Sequence, residues 1–90
     1  MAEADPLLLA IQEILFREWD PIGINHNENC RDEYDSYAPA IYRFLRSGVD
    51  EYKLTAHLSE LQRNSMGLSV VDEDSNRRVA RRLLDLPGNR

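Results

Sequence analysis

"DPLLLAIQEILFREWDPIG", residues Asp5 to Gly23, decides the fold class. It opens on Asp-Pro: a carboxylate able to cap a helix, then Pro at the first helical position, where its missing N–H costs nothing. Leu7, Leu8, Ile11, Ile14 and Leu15 recur at helical spacing, and Trp19 closes the same stripe. Pro21 then disfavours helical geometry at Asp20. Asp20-Pro21-Ile22-Gly23 has Asp, Pro and Gly where a type I turn favours them. One helix with a marked start and a marked stop is therefore predicted.

The remainder repeats that grammar. In "EYDSYAPAIYRFLRSG", residues 33–48, Tyr34, Tyr37, Ala38, Ile41 and Leu45 share a face, with Phe44 beside it and Gly48 as the stop. Pro39 fits only in the first turn, which makes Asp35 or Ser36 the expected cap. Asp50 caps "EYKLTAHLSELQRNSM", whose seam is Leu54, Leu58 and Leu61, and Gly67-Leu68 suits a Schellman ending. "SVVDEDS" is briefly extended, but no second strand exists to pair with it. Asp74 or Ser75 opens "NRRVARRLLDL", buried through Val79, Leu83 and Leu84 or Leu86 and ended by Pro87-Gly88. No repeat of 20–50 residues occurs. The expected fold is all-α: a compact array of about four short helices, near 6–19, 35–47, 51–66 and 75–86, in a single domain over residues 1–90.

Composition sets the outer limits. Ninety residues, 42% hydrophobic and 30% charged, suit one small globular domain with a modest core. Cys30 is the only cysteine, so no internal disulfide is possible and a reducing compartment is implied. Glu3 and Asp5 stand where a signal peptide would be basic. No stretch approaches the ~20 apolar residues of a membrane span. A cytoplasmic protein without membrane contact is expected. The net charge of −5 is unevenly spread: residues 1–76 carry −9 and residues 77–90 carry +4. An acidic body binds phosphate poorly, so nucleic acid is not the expected partner. A basic protein is the natural complement.

Most candidate sites reduce to structure. Trp19 reads as a core anchor whose indole nitrogen reaches a loop carbonyl; the competing reading is a binding hot spot. Asn25, Asn27 and Asn29 alternate as Ca²⁺-loop ligands do, but the acidic early positions, central Gly and terminal Glu are missing. His26 and Cys30 give two zinc ligands without a CxxC partner, so no metal and no cofactor is expected. Cys30 with His26 and a carboxylate, Glu28 or Asp32, forms the one catalytic alternative, a small hydrolase or transferase. No phosphate loop or nucleophile elbow accompanies it, and the chain is read as a non-enzyme with no catalytic residues. His57 flanks the leucine seam as a half-buried boundary residue. Arg77, Arg78, Arg81 and Arg82 form two i, i+4 pairs on the last helix, read as a solvent face that bridges to the acidic body; contact with nucleic acid is the alternative.

The segment 20–37 keeps one functional reading. Asp32, Glu33 and Asp35 gain from a helix N-terminus by ~0.3–1 kcal/mol each when exposed, which explains them without a partner. Their interleaving with Tyr34, Tyr37 and Tyr42 is not explained that way. Tyrosines among carboxylates suit an Arg- or Lys-rich protein surface. The expected protein-binding residues are Asp20, Asp32, Glu33, Tyr34, Asp35 and Tyr37.

"EWDPIGI" at 18–24 followed by "DEYDSYAPAIYRFL" at 32–45 resembles the YugE-like family of small bacterial proteins, a domain of unknown function. The resemblance covers roughly residues 8–68. It implies an all-helical fold and a bacterial, cytoplasmic origin, and it supplies no reaction and no functional residues. The leading expectation is a small protein-binding module with an acidic, tyrosine-bearing face, of which a bacterial immunity protein is one form. Self-association through an apolar strip on the last helix is a further option.

Overall fold

The computed structural model describes residues 5–87. Among the described residues four α-helices form: α1 (Pro6–Ile14), α2 (Ala38–Arg46), α3 (Glu51–Glu60) and α4 (Glu73–Leu84). No strand occurs among the described residues, so the all-α expectation holds. Helices α3 and α4 pack along each other, as do α1 and α2, and a contact between α1 and α4 joins the two pairs. Their seam is a single core: Leu7, Ile11, Ile14, Leu15 and Trp19 from the first segment, Tyr34, Ala38, Ile41 and Leu45 from the second, Leu54 and Leu58 from α3, and Val79, Ala80 and Leu83 from α4. No helix is long and apolar enough to cross a membrane among the described residues.

Capping explains three of the four starts. Asp5 accepts from the Leu7 N–H at 2.9 Å and Asp50 accepts from the Lys53 N–H at 2.8 Å, as the sequence indicates. The last helix departs from expectation: Asp72, not Asp74 or Ser75, is the cap, accepting from the Ser75 N–H at 3.1 Å, and the helix starts two residues earlier than predicted. Asp72 wins because Glu73 and Asp74 then fall in the first turn, where the helix dipole favours them. The second helix has no side-chain cap. A 3₁₀ turn over Asp35–Tyr37 leads into it instead, and Pro39 sits in the first turn, as its missing N–H requires. Gly88 of the expected last stop lies outside the described residues.

Both α1 and α3 end in a feature the periodicity does not announce. Leu15–Trp19 and Leu61–Ser65 widen into π turns, closed by Asp20 N–H to Leu15 C=O and Met66 N–H to Leu61 C=O, each 3.0 Å. After the second, Gly67 adopts φ +68° and the Leu68 N–H reaches the Gln62 carbonyl at 2.8 Å, a Schellman-like closure one residue wider than usual.

Asn76 of α4 joins the two π turns through its side chain. Trp19, 5% exposed, donates its indole N–H to Asn76 Oδ1 at 2.9 Å, so its partner is a side chain of α4 rather than the loop carbonyl expected. Asn76, 1% exposed, donates in turn to Ser59 Oγ at 3.0 Å and Gln62 Oε1 at 2.7 Å. This buried cluster ties α1, α3 and α4 through one amide, with all three of its polar bonds made inside the core.

Candidate functional site

The segment between Trp19 and α2 is built on Asp20. Its φ of 32° and ψ of 60° place it in the left-handed region, which L side chains rarely adopt and which a following Pro disfavours further. The carboxylate offsets that strain. Oδ1 accepts from the Ile24 N–H at 2.7 Å and the Tyr34 hydroxyl at 2.8 Å, and Oδ2 accepts from the Asn25 N–H at 3.1 Å. The Tyr34 oxygen also accepts from the Ile22 N–H at 3.2 Å, so the whole Pro21–Asn25 turn is stitched to one carboxylate and one phenol.

Two of the six expected contact residues are engaged within the fold. Asp20 has both oxygens committed to the turn, and Tyr34 is 1% exposed, edge-on to Trp19 with ring centroids 5.6 Å apart. Burial first, and the Asp20 carboxylate after it, push the Tyr34 phenol well above its usual pKa. Asp20→Ala should cost about 2 kcal/mol in urea unfolding, since three donors lose a charged acceptor and the backbone strain is no longer held. Asp20→Asn, which tolerates the same backbone and keeps one acceptor, should cost about half of that. A change within about 0.5 kcal/mol for the Ala variant would show that the carboxylate does not organise the turn.

The acidic residues further along separate into two groups. Glu13 and Arg17 of the first helix and Glu28 and Arg31 of the loop close a ring of alternating charge. Arg17 and Arg31 each pair with Glu13, Arg31 meets Glu28 at 3.2 Å, and Arg17 stands 3.8 Å from it. Both guanidinium groups lie over the buried Phe16 ring, 5.9 and 5.5 Å from its centre. The ring pins the loop onto α1 and neutralises Glu13 and Glu28. Asp32, Glu33 and Asp35 stand differently. None forms an ion pair among the described residues; Asp32 and Glu33 are exposed, and Asp35 is half-buried. Partial burial and the neighbouring Asp32 charge raise the Asp35 pKa, with Arg31 opposing.

Asp32 and Asp35 line a groove of about 500 Å³ between α1 and this loop, with Leu9, Gln12 and Phe16 along its other side. Leu9 is 50% exposed there, and Arg31 shares the lining with the two aspartates. Tyr37 is half-buried against Trp19, rings 6.3 Å apart, and its hydroxyl bonds to no described residue. Tyr42 is held elsewhere: its hydroxyl donates to Asp5 at 2.6 Å, and that bond, before the Leu7 N–H, lowers the Asp5 pKa.

The catalytic and metal alternatives gain no geometry. Cys30 is half-buried at the end of a 3₁₀ turn, His26 is exposed, and no hydrogen bond joins them among the described residues. No cluster of three or more metal-ligating side chains occurs there either. On α4, Arg82 forks onto Glu18 at 3.0 and 3.1 Å, Arg81 meets Glu51 at 2.7 Å, and Arg77 stands 3.7 Å from Asp74. Arg77 also stands 3.9 Å from Glu51, so three of the four arginines bridge to carboxylates and all three reach beyond α4. Leu84 and Leu86 are half-buried against the core.

The Asn76 cluster and the ionic ring escaped sequence reading, though each leaves a trace. Thr55, Ser59 and Gln62 follow i, i+4, i+7 beside the leucine seam, and Asn76 occupies a position of the Val79/Leu83 stripe. A polar residue on a buried stripe announces a polar partner facing it. No protein-family model matches the chain, no curated protein matches it, and no solved structure matches the fold.

Proposed function

We propose that this chain is a small protein-binding module whose acidic groove receives a basic segment of a partner. The observation that supports it is the imbalance along one loop. Glu13 and Glu28 are matched by arginines and Asp20 by three hydrogen-bond donors, whereas Asp32, Glu33 and Asp35 form no ion pair among the described residues; Asp32 and Asp35 line the groove beside Arg31, which is itself committed to Glu13 and Glu28, with Leu9 also lining it. The binding residues in this proposal are Asp32, Glu33, Asp35 and Tyr37. A lysine or arginine would neutralise the carboxylates while its methylene stem covers Leu9. An intracellular immunity protein that covers a cationic toxin is one concrete form of the module. Kinship with the YugE-like family belongs to the same proposal, resting on the quoted motif.

Asp35 adds a thermodynamic argument. Its folded pKa lies above the unfolded value, so its contribution to stability is present below the unfolded pKa and is lost as pH rises through the folded one. At neutral pH the ionised Asp35 therefore works against folding, and a cation in the groove would relieve it. Asp35→Asn alone should raise the melting temperature slightly at pH 7 and leave it unchanged at pH 3.

The decisive experiment uses a partner recovered by cross-linking in cells and then purified. Replacing Asp32, Glu33 and Asp35 by Asn, Gln and Asn should slow association about tenfold or more at low salt, with a shallower salt dependence. Stability should move by about 0.5 kcal/mol or less per exposed site. An association rate that ignores both the substitutions and the salt would refute the proposal.

A further inference from the structure

A second groove, of about 470 Å³, runs between α2 and α3, lined by Ala40, Arg43, Phe44, Ser47 and His57. It is chemically the opposite of the first. Ala40 and the Phe44 ring give it an apolar surface, and the His57 imidazole lies tilted on Phe44 with ring centres 4.6 Å apart. Arg43 is exposed and has no carboxylate partner among the described residues, in contrast to Arg17 and Arg31 of the ionic ring and to Arg81 and Arg82 on α4. His57 Nε2 is buried without a hydrogen-bond partner, and burial pushes the imidazole below its usual pKa.

We propose that this groove is a binding site for a small aromatic carboxylate, held by Arg43 through its carboxylate and by Phe44 and the His57 ring through its aromatic body. The guanidinium fork matches a carboxylate in shape and charge. An aromatic ring gains offset or edge contacts on Phe44. In a protein of net charge −5, an unpaired cation beside an apolar floor is where an organic anion meets attraction rather than repulsion. The same anion favours the protonated imidazole.

Phenylacetate is the probe, with acetate and 2-phenylethanol as controls that carry only the charge or only the ring. In an NMR titration of the full chain at fixed ionic strength, phenylacetate should shift the His57 and Phe44 ring signals saturably. Both controls should bind on the order of tenfold more weakly, and the His57 pKa should rise in the phenylacetate complex. Arg43→Gln, at an exposed position that leaves the melting curve in place, should weaken phenylacetate on the order of tenfold. Linear, unsaturated shifts would overturn the proposal, as would an equal response to either control or an Arg43→Gln variant indistinguishable from the parent.

Discussion

Trp19→Ala should unfold most of the protein at 25 °C, or leave it with a melting transition lowered far beyond that of any surface variant. Truncating a buried aromatic costs ~3–5 kcal/mol in transfer and cavity terms. Here the loss reaches further than the side chain. Trp19 stands edge-on to Tyr34 and Tyr37, and its indole N–H satisfies Asn76 Oδ1. Removing it adds an unsatisfied buried carbonyl, about 1–3 kcal/mol more. Small domains hold roughly 5–15 kcal/mol in total, so the sum takes a large share. Trp19→Phe separates the two terms: it keeps most of the apolar volume and loses the donor, and should cost about 1–3 kcal/mol. Urea unfolding followed by far-ultraviolet circular dichroism, which does not depend on the missing indole, measures both. An Ala variant within about 1 kcal/mol of the parent would mean that Trp19 is a surface residue in solution.

The helices were legible because their signals are local. Asp5 and Asp50 caps, Pro6, Pro21 and Pro39, and the 3.6-residue stripes each act within one or two turns, and each reappears at its expected place. The start of α4 was misplaced because three candidate caps, Asp72, Asp74 and Ser75, crowd four positions, and only the competition between them selects Asp72. The site was legible only in part. Tyr34 carries an apolar ring suited to the core and a hydroxyl suited to a surface; sequence alone does not say that Asp20, fourteen residues earlier, receives that hydroxyl inside the fold. The same limit hid the ring of Glu13, Arg17, Glu28 and Arg31. Its members come from two segments, so no single window of sequence contains the pattern.

Asn76→Ala should be the most damaging substitution that removes no large side chain. The amide is the shared partner of Trp19, Ser59 and Gln62, all of them buried, so one truncation leaves three polar groups searching for partners. At about 1–3 kcal/mol for each orphaned group, reduced where water enters the vacated space or the Gln62 side chain turns, a net loss of ~3–5 kcal/mol follows. The interaction also predicts its own non-additivity. In Trp19→Phe the Asn76 oxygen is already orphaned, so adding Asn76→Ala to that variant should cost about 1–2 kcal/mol less than adding it to the parent. A further variant tests the sign of the network as a whole. Replacing Trp19 by Phe, Ser59 by Ala, and Gln62 and Asn76 by Leu removes every donor and acceptor together. It should recover much of the stability that Asn76→Ala loses, because no buried polar group is then left unpaired. Denaturation midpoints of the parent and the four variants decide it. If the single Asn76→Ala variant loses less than about 1 kcal/mol, the cluster is an incidental set of contacts, and the packing of α4 on α1 and α3 rests on Val79, Ala80 and Leu83 alone.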